Sequence, residues 1–475
     1  MNIVSKTSIA ACLTASLLTV TACQSQSANP SAASKAAGGS AGNAQASGQA
    51  TITLSVMTSD RFLELAKQKY EEQHPDVKID IKESVAAPVQ QGKGFMIKAG
   101  DKPDPKNLEK YIDDVNTALM SGKASDIIVM SNLPYKKYAD KKLLENISAL
   151  MSADSSFHMD DYYTNIFDAM KYNGNLYTVP VKVTMNMWLG NQAVLGGEKI
   201  DGSKWTWEDF ASVSKKLMSD KKNDGNPDIY PLGYIEPGDL ITFMLNSSFA
   251  KFVDTGAKKA KFGSPEFTGL LKLAKSMYDD KLIAPQSADP SATMFQNKGN
   301  INMYSDMIIN PQVFYDGKAD YYNVPSENGT EGTSVTSGLP LAINSKSANK
   351  QAAWQFVKFL LSEEMQSTME LMGFAVNKQA GKANESALKQ LGQPNASGKS
   401  MKFMINGKEI TPKPATDQDI ERIEQALAGI KSYAESDPKI TKIVAEETVP
   451  FFQGQKSAEE TAKVIQNKVS TYLQE

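Results

Sequence analysis

An α/β fold in two lobes is predicted by three observations. Strand-like and helix-like segments alternate from residue 51 onward. The run Ile127-Ile128-Val129-Met130 is short and continuously apolar, as in a parallel strand covered on both faces. The body from residue 51 to residue 475 is also longer than one hydrophobic core ordinarily serves. Strand, helix, strand, helix, strand builds a parallel sheet with helices on its faces, where ligands bind beyond the carboxyl ends of the strands.

The chain begins with a leader. Met1 and Lys6 form a charged start, and an apolar stretch follows over residues 9–20. That is the length of a secretory signal's core, and shorter than the ~20 apolar residues needed to span a bilayer. Val20-Thr21-Ala22-Cys23 then resembles the lipobox of bacterial lipoproteins. The resemblance implies removal of residues 1–22, lipidation of Cys23, and an anchor on the extracytoplasmic face of the cell membrane. Cys12 is the only other cysteine and lies in the leader, so the mature chain would hold no free thiol, disulfide or thiolate metal site. Residues 24–50 are built almost wholly from Gln, Ser, Ala, Gly and Asn, with Lys35 the only charge. Such a segment buries too little apolar surface to order itself, and as a coil it reaches roughly 30 Å.

Residues 51–57 alternate as a strand, and Phe62, Leu65, Ala66 and Tyr70 follow at helical spacing. His74-Pro75 closes that helix, because the residue before proline avoids helical angles. Val77, Ile79 and Ile81 alternate as a second strand, 86–108 reads as a polar surface excursion, and a helix over 111–120 leads into the apolar run at 125–130. No later segment is apolar enough to cross a membrane.

Five segments in register now carry a specific resemblance. They are Asp126-Ile127-Ile128-Val129 with Tyr135, Tyr138, Leu143 and Leu144; Asn173-Gly174-Asn175-Leu176-Tyr177-Thr178-Val179-Pro180; and Trp205-Thr206-Trp207-Glu208-Asp209-Phe210. Gly338-Leu339-Pro340 with Ala353-Trp354-Gln355-Phe356, and Gly373-Phe374-Ala375-Val376-Asn377, complete the series. Together they resemble the extracellular solute-binding proteins (family 1, maltose-binding-protein-like) of carbohydrate ABC transporters. The resemblance implies a two-lobe periplasmic-binding-protein-like fold with hinge-connected lobes around a cleft. Carried onto this chain, the N-terminal lobe comprises 51–182 plus 338–362 and the C-terminal lobe 183–337 plus 363–475. It implies capture of a sugar or oligosaccharide by hinge closure and delivery to an ABC permease, by a monomer that needs no cofactor. A ligand-sensing lipoprotein serving a receptor, and a secreted glycoside hydrolase, are the alternative readings. The stretches 84–110 and 399–411 look longer than the family core, and Ala375-Val376 lacks the family's usual proline.

Composition agrees with binding in preference to chemistry. A formal charge of −3, one unit more negative once Lys6 is removed, argues against nucleic acid. Two histidines, His74 and His158, are too few for a histidine-built metal or hydrolytic site, and no phosphate-binding glycine fingerprint follows a strand.

Candidate ligand-binding residues lie at strand ends and crossings. Asp60 and Arg61 follow the first strand, where each could hold two adjacent hydroxyls or, equally, cap a helix. Ser131 and Asn132 follow the third strand at the equivalent rim. The resemblance places Lys182 and Thr184 on the cleft floor and Glu236, in Glu236-Pro237-Gly238-Asp239, at the cleft. Asp306 follows the apolar stretch at 301–303. Trp188 and Trp205 are candidate stacking platforms, with Tyr304, Phe243 and Phe374 comparable, whereas Trp207 and Trp354 read as packing anchors. Asp220, Asp224, Gly225 and Asp228 have calcium-loop spacing, but Lys222 and Pro231 stand where oxygen ligands belong, so a hydrogen-bonded turn is expected and no metal.

Overall fold

The computed structural model describes residues 50–474 except 87–103, 203, 289–292, 298–300, 330–331, 395–399, 401 and 406–407. The Cys23 site and the tether to Gln49 lie outside the described residues.

The first strand, Ala50–Val56, buries Ile52, Leu54 and Val56 on one face. Asp60 then caps the helix Arg61–Gln73, whose Phe62, Leu63, Ala66 and Tyr70 are buried. Val77–Glu83 returns parallel to the first strand, with Ile52 opposite Ile79. The next helix, Pro105–Ser121, starts earlier than its apolar periodicity alone indicated. Asp104 caps it and Pro105 supplies a preset first-turn angle, so polar residues of the expected excursion are helical. Its inner side is Tyr111, Val115 and Leu119, and Gly122 ends it in the left-handed region at φ +73°.

One sheet orders the strands Val77–Glu83, Ala50–Val56, Ile127–Val129, Pro340–Ile343 and Val179–Pro180. The first three are parallel, and Pro340–Ile343 runs against Ile127–Val129. The second sheet orders Phe374–Ala375, Lys182–Asn191, Thr333–Ser337 and Ile430–Tyr433, with Phe295–Asn297 and Ala319–Asn323 pairing farther along Lys182–Asn191. Val183 is the meeting point: it lies opposite Ser337 on one side and Phe374 on the other.

Lys182–Asn191 also joins two cores. Val183, Met185 and Met187 continue the core of Ile52, Leu54, Phe62, Trp354 and Phe356. Trp188, the next residue, enters a second core with Trp207, Phe210, Phe267 and Ile465. Trp207 sits behind a Thr206–Asp209 capping box, as its sequence indicated. Trp354 donates its indole N–H to Asp154 at 2.9 Å, beside the Lys358 ammonium at 2.7 Å.

Gln366 is fully buried where three chain segments converge. Its carboxamide donates to the Val181 and Leu360 carbonyls and accepts from the backbone N–H of Val376 at 2.7 Å and of Asn377 at 3.2 Å. Among the described residues, no helix is long and apolar enough to cross a membrane.

Candidate functional site

The strand Ile127–Val129 ends in a tight turn in which Asn132 takes a left-handed φ of +61° and Leu133 anchors in the core. The short helix Tyr135–Asp140 follows directly. Thr336 lies opposite Thr184 in the strand ladder, and their hydroxyls are hydrogen-bonded at 2.6 Å. Ile430–Tyr433 pairs with Thr333–Ser337 and carries the chain to Asp437, the cap of the helix Pro438–Phe452. These segments, with Tyr472 from the last helix, enclose a cleft of about 630 Å³.

Polar groups line it, many already paired. Ser131 donates to the Gly338 carbonyl at 3.4 Å. Lys136 forms an ion pair with Glu435. Both oxygens of Asp140 accept from the Tyr172 hydroxyl, at 2.9 and 3.0 Å. One Asp437 oxygen accepts from the Lys439 and Ile440 N–H groups, and the other from the Tyr472 hydroxyl at 2.9 Å. Burial, reinforced by the Glu435 carboxylate, holds the Tyr135 phenol far above its ordinary range, so it is a neutral donor at any working pH. The Thr178 hydroxyl, on a residue lining the cleft, is buried without a hydrogen-bond partner among the described residues.

The predicted residues divide. Ser131, Asn132 and Thr184 line the cleft. Lys182 and Asp60 do not; they form an ion pair at 3.3 Å beside it, and Asp60 also accepts from the Leu63 N–H as the helix cap. The Lys182 stem fills the space over two glycines: a Cβ at Gly373 would lie 2.6 Å from Lys182 Cβ, and one at Gly338 3.4 Å from its Cε. At Gly373 a side chain would force a shift between the crossing strands, whereas at Gly338 it would make ordinary contact. Arg61 is exposed in the first turn of its helix.

Three more of the predicted residues do not line the cleft. Trp188 offers no face to a ligand: it is fully buried, nearly parallel to Phe243 at 6.2 Å, and edge-on to Trp205 and Trp207 at 5.8 and 5.6 Å. Its strand is paired on both edges there, and the side chain leaves the sheet on the face covered by Trp207, Phe210 and Phe295. Glu236 is exposed and outside the cleft, at the start of the helix Pro237–Asn246, where the Tyr234 hydroxyl donates to it. Asp306 lies in the first turn of the helix Tyr304–Tyr315 and reaches back to its start, accepting from the N–H groups of Asn302 and Met303, each at 3.0 Å. Trp205, Tyr304 and Phe374 are buried as well.

The spacing of the 220–228 segment gives a turn. Asp220 accepts from the N–H groups of Asp224 at 3.1 Å and Gly225 at 2.7 Å, and Asp228 from Lys221 at 2.8 Å. The Lys281 ammonium donates to the Gly225 carbonyl and to Asn226 Oδ1.

Sequence reasoning missed Lys136, Thr336, Tyr433, Glu435, Asp437 and Tyr472 as cleft residues. The last four lie beyond the final segment that carries the family resemblance. The only local signal there is Asp437-Pro438, a helix cap followed by a first-turn proline.

Comparison with solved structures gives the same architecture. An ABC substrate-binding protein from Listeria monocytogenes, in complex with cycloalternan, is 16% identical with a TM-score of 0.55, over 90% of this chain and 99% of its own. The sugar-binding protein MalE from Xanthomonas citri is 14% identical with a TM-score of 0.58, over 89% and 97%. A periplasmic oligogalacturonide-binding protein from Yersinia enterocolitica is 14% identical with a TM-score of 0.56, over 89% and 99%. At these identities the likeness shows the fold. Residues 57–367 match the family model described as bacterial extracellular solute-binding protein, and the chain belongs to that family.

Proposed function

We propose that this chain is a lipid-anchored, extracytoplasmic binding protein that captures a sugar or oligosaccharide and delivers it to an ABC permease. Cys23 carries the anchor, and the lobes are 51–182 plus 338–362 and 183–337 plus 363–475. The observation that carries this reading is the cleft beside the crossing strands. Its hydroxyls (Ser131, Thr184, Thr336), phenols (Tyr135, Tyr433, Tyr472) and charged groups suit a polyhydroxylated solute. Further support comes from the register at Val183, which sets three connecting segments side by side as a hinge requires. The related structures named for cycloalternan, sugar and oligogalacturonide point to the same ligand class.

A ligand that binds only the native state stabilises it by RT ln(1 + [L]/Kd), about 4 kcal/mol at a thousandfold excess over Kd. A panel of oligosaccharides is therefore expected to contain one that raises the melting temperature by several degrees and is recovered chemically intact. Recovery of cleaved sugar would move the protein to the hydrolases. A response confined to another solute class would keep the fold and discard the ligand. For the anchor, mass spectrometry of the mature N-terminus is expected to find lipid on Cys23; an unmodified cysteine there would remove that part of the proposal.

A further inference from the structure

The cleft's charged groups are not balanced in what they leave available. Four lysines line it, Lys136, Lys137, Lys141 and Lys258, against three acids, Asp140, Glu435 and Asp437. Every acid already accepts from a partner within the protein. Glu435 holds Lys136, Asp140 takes the Tyr172 hydroxyl, and Asp437 takes the Tyr472 hydroxyl and two backbone N–H groups. The Lys137 ammonium lies 5.2 Å from the centre of the Tyr472 ring. Lys141 and Lys258 differ: among the described residues, neither ammonium has an ion pair or hydrogen-bond partner.

Both are nevertheless held at the backbone. Lys141 follows the helix Tyr135–Asp140, and its N–H bonds to the Lys137 carbonyl at 3.2 Å. Lys258 sits at φ +53° in a turn whose Ala257 N–H bonds to Asp254 at 2.8 Å. A neutral sugar hydroxyl both donates and accepts, so it needs protein acceptors as well as donors. Here each carboxylate already has a donor, while two ammonium groups have no acceptor among the described residues, so the surplus is in cationic donors. The complementary ligand has a surplus of acceptors, and the strongest acceptors are anionic oxygens.

We infer that the cleft takes a saccharide bearing negative charge, as a carboxylate or an ester sulfate, with Lys141 and Lys258 supplying the counter-charge. This rests on the saccharide reading above and narrows it. Charge-assisted hydrogen bonds contribute more than neutral ones.

The test is calorimetric titration of the full chain with matched sets: oligouronates, O-sulfated disaccharides, and the neutral parent sugars of each. At least one acidic member is expected to bind about tenfold or more tightly than its neutral parent, the ratio that one charged hydrogen bond supplies. That preference should shrink as salt rises from about 20 to about 300 mM, as the Debye length shortens. The double variant Lys141→Gln/Lys258→Gln is expected to bring the acidic ligand to its parent's affinity, with an unchanged unfolding midpoint because both side chains are exposed. Preference for uronate over sulfate, or the reverse, identifies the anion. A neutral parent that binds as tightly as its acidic partner overturns the inference and leaves the saccharide reading standing. An acidic preference that survives in the double variant overturns the assignment to these lysines. Binding of no saccharide of either kind overturns both.

Discussion

Gln366→Leu is expected to destabilise the protein by roughly 3–5 kcal/mol, since each buried backbone group left without a partner costs about 1–3 kcal/mol. The side chain is fully buried and serves four backbone groups: the carbonyls of Val181 and Leu360 and the N–H groups of Val376 and Asn377. Leucine matches its bulk and supplies none of these bonds, so packing is nearly conserved while polar satisfaction is lost. Gln366→Glu separates the two halves of the network. It keeps acceptors for Val376 and Asn377 but turns a carboxylate toward two carbonyls, so it is expected to be worse at pH 8 than at pH 5, where protonation restores a donor. Urea midpoints for both variants check this. A leucine variant within about 1 kcal/mol of the parent, the size of an ordinary substitution, would show that the network contributes little.

The sequence carried the sheet more clearly than the cleft. Apolar alternation at Ile52, Leu54 and Val56, and the buried run at Ile127–Val129, has one physical solution, a sheet covered by helices. Caps were equally local: Thr206 and Asp209 sit three residues apart because that spacing closes a capping box. The cleft is different, since Thr184 meets Thr336 and Lys136 meets Glu435 only after the fold has brought distant segments together. Trp188 shows the reverse failure. An aromatic next to a crossing strand reads as a stacking platform, but its face of the sheet is covered by Trp207 and Phe210, and it packs in that core. Residues 433–437 had no pattern beyond a helix start, so nothing local marked them as cleft-forming.

Glu385→Gln is expected to stabilise the protein at pH 8 and to do so much less at pH 5. Glu385 is buried on the helix Lys378–Leu388, with one carboxyl oxygen lacking any partner among the described residues. One turn before it, Gly381 leaves room for the Tyr163 and Tyr304 hydroxyls, which a Cβ there would meet at 2.9 and 3.3 Å. Burial, then the Glu424 carboxylate, pushes the Glu385 carboxyl up to about 7, against a smaller opposing pull from Lys382. A carboxyl raised in the folded state binds its proton more tightly there than in the unfolded chain. Stability is therefore intact below the unfolded value near 4.5, falls as pH rises toward about 7, and stays at the lower level above it. Glutamine removes the charge and with it the penalty, a gain on the order of 2 kcal/mol at pH 8. Isothermal urea unfolding at the two pH values reads the difference directly. An equal effect at both would mean that packing, and not ionisation, governs the site.

The Lys281 ammonium over the 220–228 turn has a consequence for life outside a cell. A metal bound there would come and go with the composition of the medium, and its occupancy would follow the free ion's activity. A side chain from the same polypeptide has an effective concentration set by the fold, which neither dilution nor a chelator changes. With Asp220 bonded to two backbone N–H groups and Lys281 on the Gly225 carbonyl, the groups that hold this turn are encoded in the chain itself. The turn's geometry is thereby held by groups of the chain itself, whose supply the surroundings do not set.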